Sequence, residues 1–360
     1  MSHNNPSNGK KLIFTIFGAG SLGSLVGGTL ATRFPVILVG RKPHLSAIRE
    51  KGLTVSGKSQ LQVKPAAIIS LDKDGQGFED MWKGIASPLQ LDSFDTHIVI
   101  ACVKSYQTKN ILEHLKFIKE HGVRAKKTFV LSLQNGIENE ALLASAVGEE
   151  SVIGGITTEG ITFKEPGHVF HAGKGETSLG PLSMDHGETK ETAKLLVDAF
   201  NDVGMKCYFC NNIKGKIWTK AIINSSINPI TAITRLENGY ILERKGLEVL
   251  AKRACLEGTA VAEANLIDLA CDNTWREVKK VIKATAGNRS SMLQDIENGK
   301  RTEIDCICGV IIKYGMRENL NVPTQCMLHT LVKNVEMAGR LKRGELEGRL
   351  PGDDVEGCRA

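Results

Sequence analysis

At 360 residues the chain is too long for one comfortable hydrophobic core, so two domains and a cleft between them are expected. With 41% hydrophobic and 24% charged residues and only 10 prolines it has the composition of a globular enzyme, which excludes a disordered or fibrous chain. The net charge of +6 comes from interleaved acidic and basic residues and favours small anions over nucleic acid, while the longest apolar runs, such as Ile98 to Val103, stop at strand length, far short of a membrane span.

Residues 1–11 are polar, rich in Asn and Ser, and carry neither an apolar signal core nor an arginine-rich amphipathic pattern. They read as a flexible leader on a cytoplasmic protein. Leu12 to Phe17 is an apolar strand, followed by a glycine turn and a helical pattern through Leu30. Pro35 to Val39, Thr96 to Val103 and Thr128 to Leu133 read as further buried parallel strands, with a helix at Thr108 to Lys119. That alternation predicts an α/β domain with a Rossmann-like, doubly wound sheet. Asp72 to Pro88 is rich in Gly and Asp, has weak periodicity, and reads as an excursion from the sheet. Short strands and turns at Ser151 to Thr158 and Gly160 to Pro181, then a helix at Glu188 to Asp202, close this domain, which is placed at residues 12–212.

From Gly215 onward strand signals nearly vanish. Helical patterns follow at Ile217 to Leu236, Leu242 to Ala270, Thr274 to Ala286, Ser291 to Asn298 and Thr302 to Tyr314. An all-helical second domain is therefore placed at residues 213–340, with a charged, Gly-rich tail at 341–360.

The nine cysteines are odd in number and scattered, so reduced thiols are expected. Cys207 and Cys210 form a C-x-x-C that no second pair completes, and Cys306 and Cys308 diverge on a helix; buried structural thiols are the favoured reading, with no metal site. His168 and His171 lie in a turn-rich stretch without a convergent carboxylate motif and read as surface or structural histidines.

The run Gly18-Ala19-Gly20-Ser21-Leu22-Gly23 matches G-x-G-x-x-G between a strand and a helix. There Gly18 permits the tight turn, Gly20 lets the backbone approach a pyrophosphate, and Gly23 lets the helix pack on the strand. A turn that merely joins strand to helix is the competing reading. After the second strand, where an NAD enzyme usually places an acid, the sequence is Val39-Gly40-Arg41-Lys42, so Arg41 suits a 2′-phosphate and NADP (NADPH) is the expected cofactor, with Lys42 assisting. A solvated surface charge is the alternative for Arg41.

Lys220, Asn224 and Asn228 recur every fourth residue on an otherwise apolar helix. Exposed faces usually carry Glu and Lys pairs, so two asparagines of poor helix propensity argue for an active-site stripe over a solvated face.

At this point the chain resembles the 2-dehydropantoate 2-reductases, also called ketopantoate reductases, from Leu12 to the region of Pro323. The matching pieces are the glycine loop, Val103-Lys104, Gln134-Asn135-Gly136, the Trp218 to Asn228 helix, Ser290-Ser291-Met292-Leu293-Gln294-Asp295 and Arg301-Thr302-Glu303-Ile304-Asp305. The resemblance implies that Lys220 is the general acid, that Asn224, Asn228 and Ser291 bind substrate, and that Glu303 orients substrate or lysine. It also implies that Lys104 and Asn135 sit near the nicotinamide, with Asn135 reaching the substrate as well. The implied reaction is hydride transfer from NADPH to the keto carbon of 2-dehydropantoate, giving pantoate in pantothenate biosynthesis. A reductase of another branched 2-oxo acid and a catalytically silent NADP-binding sensor are the alternatives. The expected partner is a small 2-oxo acid; a homodimer is compatible with the sequence. Read without the family, Ser291 competes with Ser290 as a helix N-cap, and Glu303 is equally well a first-turn residue. Ser21 replaces the family's more usual alanine.

Overall fold

The computed structural model describes residues 10–71, 77–86, 94–121 and 125–345. They fall into two compact units, one made of the residues up to 134 together with 139–213, the other of 135–138 together with those from 214 onward.

The first unit begins β1 (Leu12–Phe17), α1 (Ser21–Leu30), β2 (Val36–Arg41), α2 (Lys42–Lys51), β3 (Leu53–Gly57), β4 (Leu61–Val63), β5 (Ala67–Leu71), α3 (Phe78–Ala86), β6 (Thr96–Ala101) and α4 (Thr108–His121). It continues β7 (Lys127–Ser132), α5 (Asn139–Val147), β8 (Val152–Thr157), β9 (Gly160–Glu165), β10 (His168–Gly173), β11 (Thr177–Pro181), α6 (Gly187–Asp202) and β12 (Cys207–Phe209). The main sheet has the order β12-β11-β8-β7-β6-β1-β2-β5, in which β8 through β5 run parallel and β11 pairs antiparallel with β8.

Successive residues of a strand face opposite sides, and β1 is apolar on both. Phe14 and Ile16 join Val26 and Leu30 of α1 and Phe200 of α6 in one cluster. Ile13 and Phe17 join Ile111 and Leu115 of α4 and Leu143 of α5 in another. Helices therefore cover both faces, as a continuous apolar strand requires. The α/β reading of this part of the chain holds.

The stretch from Asp72 to Pro88, expected as an excursion, contains a packed helix instead. Phe78 and Trp82, one turn apart on α3, are 2% and 1% exposed and belong to the same cluster as Phe17. With Met81 and Ile85 they form an apolar face at i, i+3, i+4, i+7 that packs on this cluster; 72–76 and 87–88 lie outside the described residues.

The segment from Gly160 to Pro181 also divides. β9 and β10 leave the main sheet and form a smaller one, β4-β3-β10-β9, in which β10 runs parallel to β3. His168 and His171 thus lie on a strand, and a carboxylate does converge: Glu159 Oε2 is 2.7 Å from His171 Nε2 and accepts the Gly175 N–H at 2.9 Å. The other ring nitrogen lies 2.9 Å from Ser59 Oγ, so His171 ties three segments together as a structural residue.

The second unit is helical: α7 (Ile213–Thr234), α8 (Tyr240–Glu243), α9 (Lys245–Ala264), α10 (Thr274–Ala284), α11 (Ser291–Glu297), a π-helical turn (Asp305–Gly309), α12 (Val310–Arg317) and α13 (Pro323–Lys342). The single helix expected from Leu242 to Ala270 breaks at Arg244, whose φ of −111° and ψ of 107° are extended, and ends at Ala264. Ile222 and Ile227 of α7 pack with Ala254 and Val261 of α9 and Ile311 of α12 in its core. Among the described residues no helix is long and apolar enough to cross a membrane.

Trp82→Ala is expected to destabilise the first unit by about 3–5 kcal/mol, the usual cost of emptying a buried aromatic site. Chemical denaturation followed by circular dichroism measures this, and a loss below about 1 kcal/mol, typical of surface changes, would remove α3 from the core.

Candidate active site

In the first unit the glycine turn has the shape of an anion cradle. Gly18, at φ +92°, and Ala19 both donate their N–H to the Val39 carbonyl, at 2.9 and 3.1 Å. A Cβ at position 18 would lie 2.6 Å from the Val103 nitrogen, and one at position 23 would lie 2.2 Å from the Gly18 carbonyl oxygen. At Gly20, by contrast, a Cβ would meet nothing within 4 Å, so space opens above the turn. Gly20 is the N-cap of α1 and supplies no side-chain cap, leaving first-turn N–H groups for an anion. Ser21 and Leu22 are half-buried on that first turn.

A Cβ at Gly40 would be 3.2 Å from Ala19 Cβ, so the end of β2 passes close to the turn. Arg41 ends that strand and caps α2 by its backbone; Arg41 and Lys42 are both exposed. Lys104 is half-buried ahead of a 3-10 turn, Ser105–Gln107. Gln134, to which the sequence reading gave no role, holds this region in place: its Nε2 donates to the Val103 carbonyl at 3.0 Å and to Thr108 Oγ1 at 2.7 Å.

In the second unit three residues from distant parts of the chain meet. Lys220 Nζ donates to Asn135 Oδ1 at 2.9 Å, and Asn135 Nδ2 donates to Glu303 Oε2 at 3.3 Å. Asn135 is held there by its neighbours. The Ile137 N–H donates to the Cys306 carbonyl at 3.1 Å, and Lys313 Nζ pairs with Glu138 at 2.6 Å. Gly136, at φ +92°, passes so close that a Cβ would be 2.6 Å from the Cys306 carbonyl oxygen.

Asn224 and Asn228 follow Lys220 along α7, Asn224 half-buried and Asn228 buried. The cap of α11 falls to Ser290, whose Oγ accepts the Leu293 N–H at 3.1 Å, leaving Ser291 exposed on the first turn. Glu303 is 6% exposed and precedes the π-helical turn, so it is not the helix first-turn residue of the alternative reading.

Burial pushes the Lys220 amine down to about 8, with the negative charge of Glu303 acting the other way. The site therefore presents an amine that titrates near neutral pH, oriented by an amide and backed by a carboxylate. Such a group can protonate an oxygen as negative charge develops on it. Cys207 and Cys210 are buried thiols, burial pushing Cys207 up to about 12, and among the described residues no group of His, Cys, Asp and Glu is placed to hold a metal.

The family described as "Ketopantoate reductase PanE/ApbA" matches residues 14–184, and its C-terminal part, "Ketopantoate reductase PanE/ApbA C terminal", matches 212–336. The chain belongs to the ketopantoate reductase family. It is 38% identical over 326 residues to the 2-dehydropantoate 2-reductase of Pyrococcus horikoshii, covering 90% of this chain and 97% of that one. It is similar to the crystal structure of a PanE/ApbA family ketopantoate reductase from Ralstonia eutropha, with a TM-score of 0.74 and 29% identity over 91% of this chain and 99% of that one. A D-mandelate dehydrogenase described in a ternary structure with NADH and anilino(oxo)acetate matches with a TM-score of 0.77 and 25% identity, again over 91% and 99%. The protein is thus an oxidoreductase of this family.

An amine-acylating reagent, with the Lys220 peptide followed by mass spectrometry, should label Lys220 with a midpoint near pH 8. Glu303→Gln removes the charge that favours the ammonium and should move the midpoint lower. A midpoint unchanged by that substitution would show that Glu303 does not act on the amine.

Proposed function

We propose that the protein reduces 2-dehydropantoate to pantoate with NADPH, a step of pantothenate biosynthesis, using Lys220 as the general acid. The observation that carries this reading is the Lys220–Asn135–Glu303 arrangement, a titratable amine held by an amide and backed by a carboxylate. NADPH supplies the hydride that reaches the keto carbon. As charge develops on the keto oxygen, Lys220 stabilises it and then gives up its proton to form the hydroxyl. Asn135 holds the amine in place, with Lys104 near the nicotinamide, and Glu303 favours the protonated state that the step consumes. The amides of Asn224 and Asn228 and the Ser291 hydroxyl bind the carboxylate and hydroxyl groups of the substrate.

The turn at 18–23 fits the cofactor's pyrophosphate, because only glycine suits the crowded positions 18 and 23 and the space above Gly20 is open. Arg41, with Lys42 beside it, takes the 2′-phosphate, its fork matching phosphate geometry at a position that carries no acid. In this reading residues 12–212 serve the cofactor and 213–340 the substrate, with Asn135 contributed from the earlier part of the chain.

The likeness to a D-mandelate dehydrogenase seen with NADH and anilino(oxo)acetate favours a second reading on the same chemistry, a different branched or aryl 2-oxo acid as substrate. The decisive experiment follows NADPH absorbance against 2-dehydropantoate, pyruvate and several branched and aryl 2-oxo acids, and repeats it with NADH. Selective turnover of 2-dehydropantoate is expected; preference for another oxo acid would keep the mechanism and replace the substrate. No turnover with any of them, despite bound NADPH, would favour a sensor.

Lys220→Ala should spare NADPH binding and lower kcat by roughly a hundredfold or more, the low end for general acids. In the wild type kcat/KM should be flat below pH 8 and fall as pH rises through about 8, because the protonated amine is the active form. Arg41→Ala should weaken NADPH roughly tenfold or more, the worth of a charge-assisted bond, and leave NADH nearly unchanged. Equal loss for both cofactors would take Arg41 off the phosphate.

A further inference from the structure

Glu303 sits in a turn, 301–305, that has little regular structure of its own, yet both sides of the residue are gripped by one helix. Before it, the Thr302 N–H donates to Glu336 Oε1 at 2.6 Å. After it, Asp305 opens the π-helical turn and gathers three donors: His329 Nε2 is 2.9 Å from Oδ1, while Lys333 Nζ and the Arg301 guanidinium reach Oδ2 at 3.1 and 2.9 Å. His329, Lys333 and Glu336 lie on successive turns of α13, a spacing that puts them on one face.

The three bonds to Asp305 are not equal. The Lys333 and Arg301 side chains are 38% and 52% exposed, so water screens both pairs and weakens them. The His329 side chain is 11% exposed. A carboxylate only accepts, so the His329 Nε2 carries the proton, and this is the anchor least weakened by solvent.

Between the two grips the main chain is committed. The Glu303 carbonyl accepts the N–H groups of Cys306 and Ile307, both at 3.1 Å, and the Cys306 carbonyl accepts the Ile137 N–H that seats Asn135. The backbone that aims Glu303 and the backbone that aims Asn135 therefore share an attachment, and Asp305 stands two residues from one and beside the other. Burial alone would raise the Asp305 carboxyl, but the hydrogen bonds from His329, Arg301 and Lys333 and the Lys333 charge outweigh it and hold that carboxyl well below the usual carboxylate range.

We propose that Asp305 is a positioning residue, which by tying the 301–305 turn to His329 and Lys333 of α13 fixes the Glu303 carboxylate against Asn135 and so sets the protonation of Lys220. It rests on the reading of Lys220 and Glu303 as a functional pair, and it adds a residue that touches neither the amine nor the substrate.

The test uses amine labelling of Lys220 against pH in the whole protein, which reads protonation without depending on turnover. Asp305→Asn should move the Lys220 midpoint downward, in the same direction as Glu303→Gln, and Glu303→Gln/Asp305→Asn should match Glu303→Gln alone, because both act through one carboxylate. With the physiological substrate, kcat for D305N should fall about tenfold near pH 8, with the KM for NADPH unchanged. A merely structural role would lower Tm and leave the midpoint on the wild-type curve, and that result would overturn the proposal, as would a double variant whose shift is the sum of the two. Should D305N fail to fold, His329→Leu/Lys333→Met removes the anchors with Asp305 in place and must give the same downward shift, a wild-type midpoint again overturning it. Absence of turnover by the wild type would count against the proposed reaction alone, leaving the labelling comparison to judge Asp305.

Discussion

An ammonium taken out of water loses hydration worth several kcal/mol, and the Lys220 amine recovers part of that through Asn135 Oδ1 at 2.9 Å and the charge of Glu303 beyond it. Most of the second unit's unusual local structure can be understood as serving that one compensation. Within the second unit, the segment 135–138 is held by the Ile137 N–H on the Cys306 carbonyl and by the close passage of Gly136 to that same carbonyl. It brings the Asn135 amide to the amine. The π-helical turn supplies the carbonyl that receives Ile137, and it begins at the residue that anchors the neighbouring Glu303 turn to α13.

Burial and the charge of Glu303 act on the Lys220 amine in opposite directions. A group that holds its proton too tightly is a poor acid at neutral pH. Here burial outweighs the carboxylate and brings the amine down to about 8. The orientation of the Asn135 amide follows from its neighbours: turned over, its NH2 would face an ammonium and its oxygen a carboxylate, both repulsive. Asn135 is thus fixed in shape and in polarity, and aspartate at this position would be isosteric but would set a second negative charge against Glu303.

What was legible in the amino-acid sequence was what short-range geometry writes. The turn at 18–23 is a local backbone requirement, so its glycines announce it; the stripe of Lys220, Asn224 and Asn228 is a helical period, so its spacing does. The alternation of apolar strands with helices likewise gave the α/β first part and helical second part. The small sheet was not legible, because β10 finds β3 across more than a hundred intervening residues and the two strands share no local signal. α3 was hidden for a different reason: its apolar face of Phe78, Met81, Trp82 and Ile85 is short and is flanked by Gly- and Asp-rich sequence that masks the period. The carboxylate partner of His171 was not legible, because Glu159 reaches it only once β9 and β10 pair.

The meeting of Asn135, Lys220 and Glu303 lies between these cases. Periodicity singles out Lys220, but nothing in the spacing of Asn135 or Glu303 connects them to it; family resemblance linked Glu303 to substrate or lysine and set Asn135 by the nicotinamide, so the Asn135 bond to Lys220 was not legible. The Asp305 clamp is harder still, since its partners lie on a helix a full turn of the fold away, and Arg301 to Asp305 alone reads as an ordinary exposed pair at i, i+4. Its significance comes from burial, which leaves His329 as the anchor that solvent weakens least and turns a surface-looking carboxylate into the fixed point of a hidden turn. Residues that set the charge of a reactive group from one step away are therefore the least visible in a sequence, because the physics that makes them matter is tertiary desolvation and not local pattern.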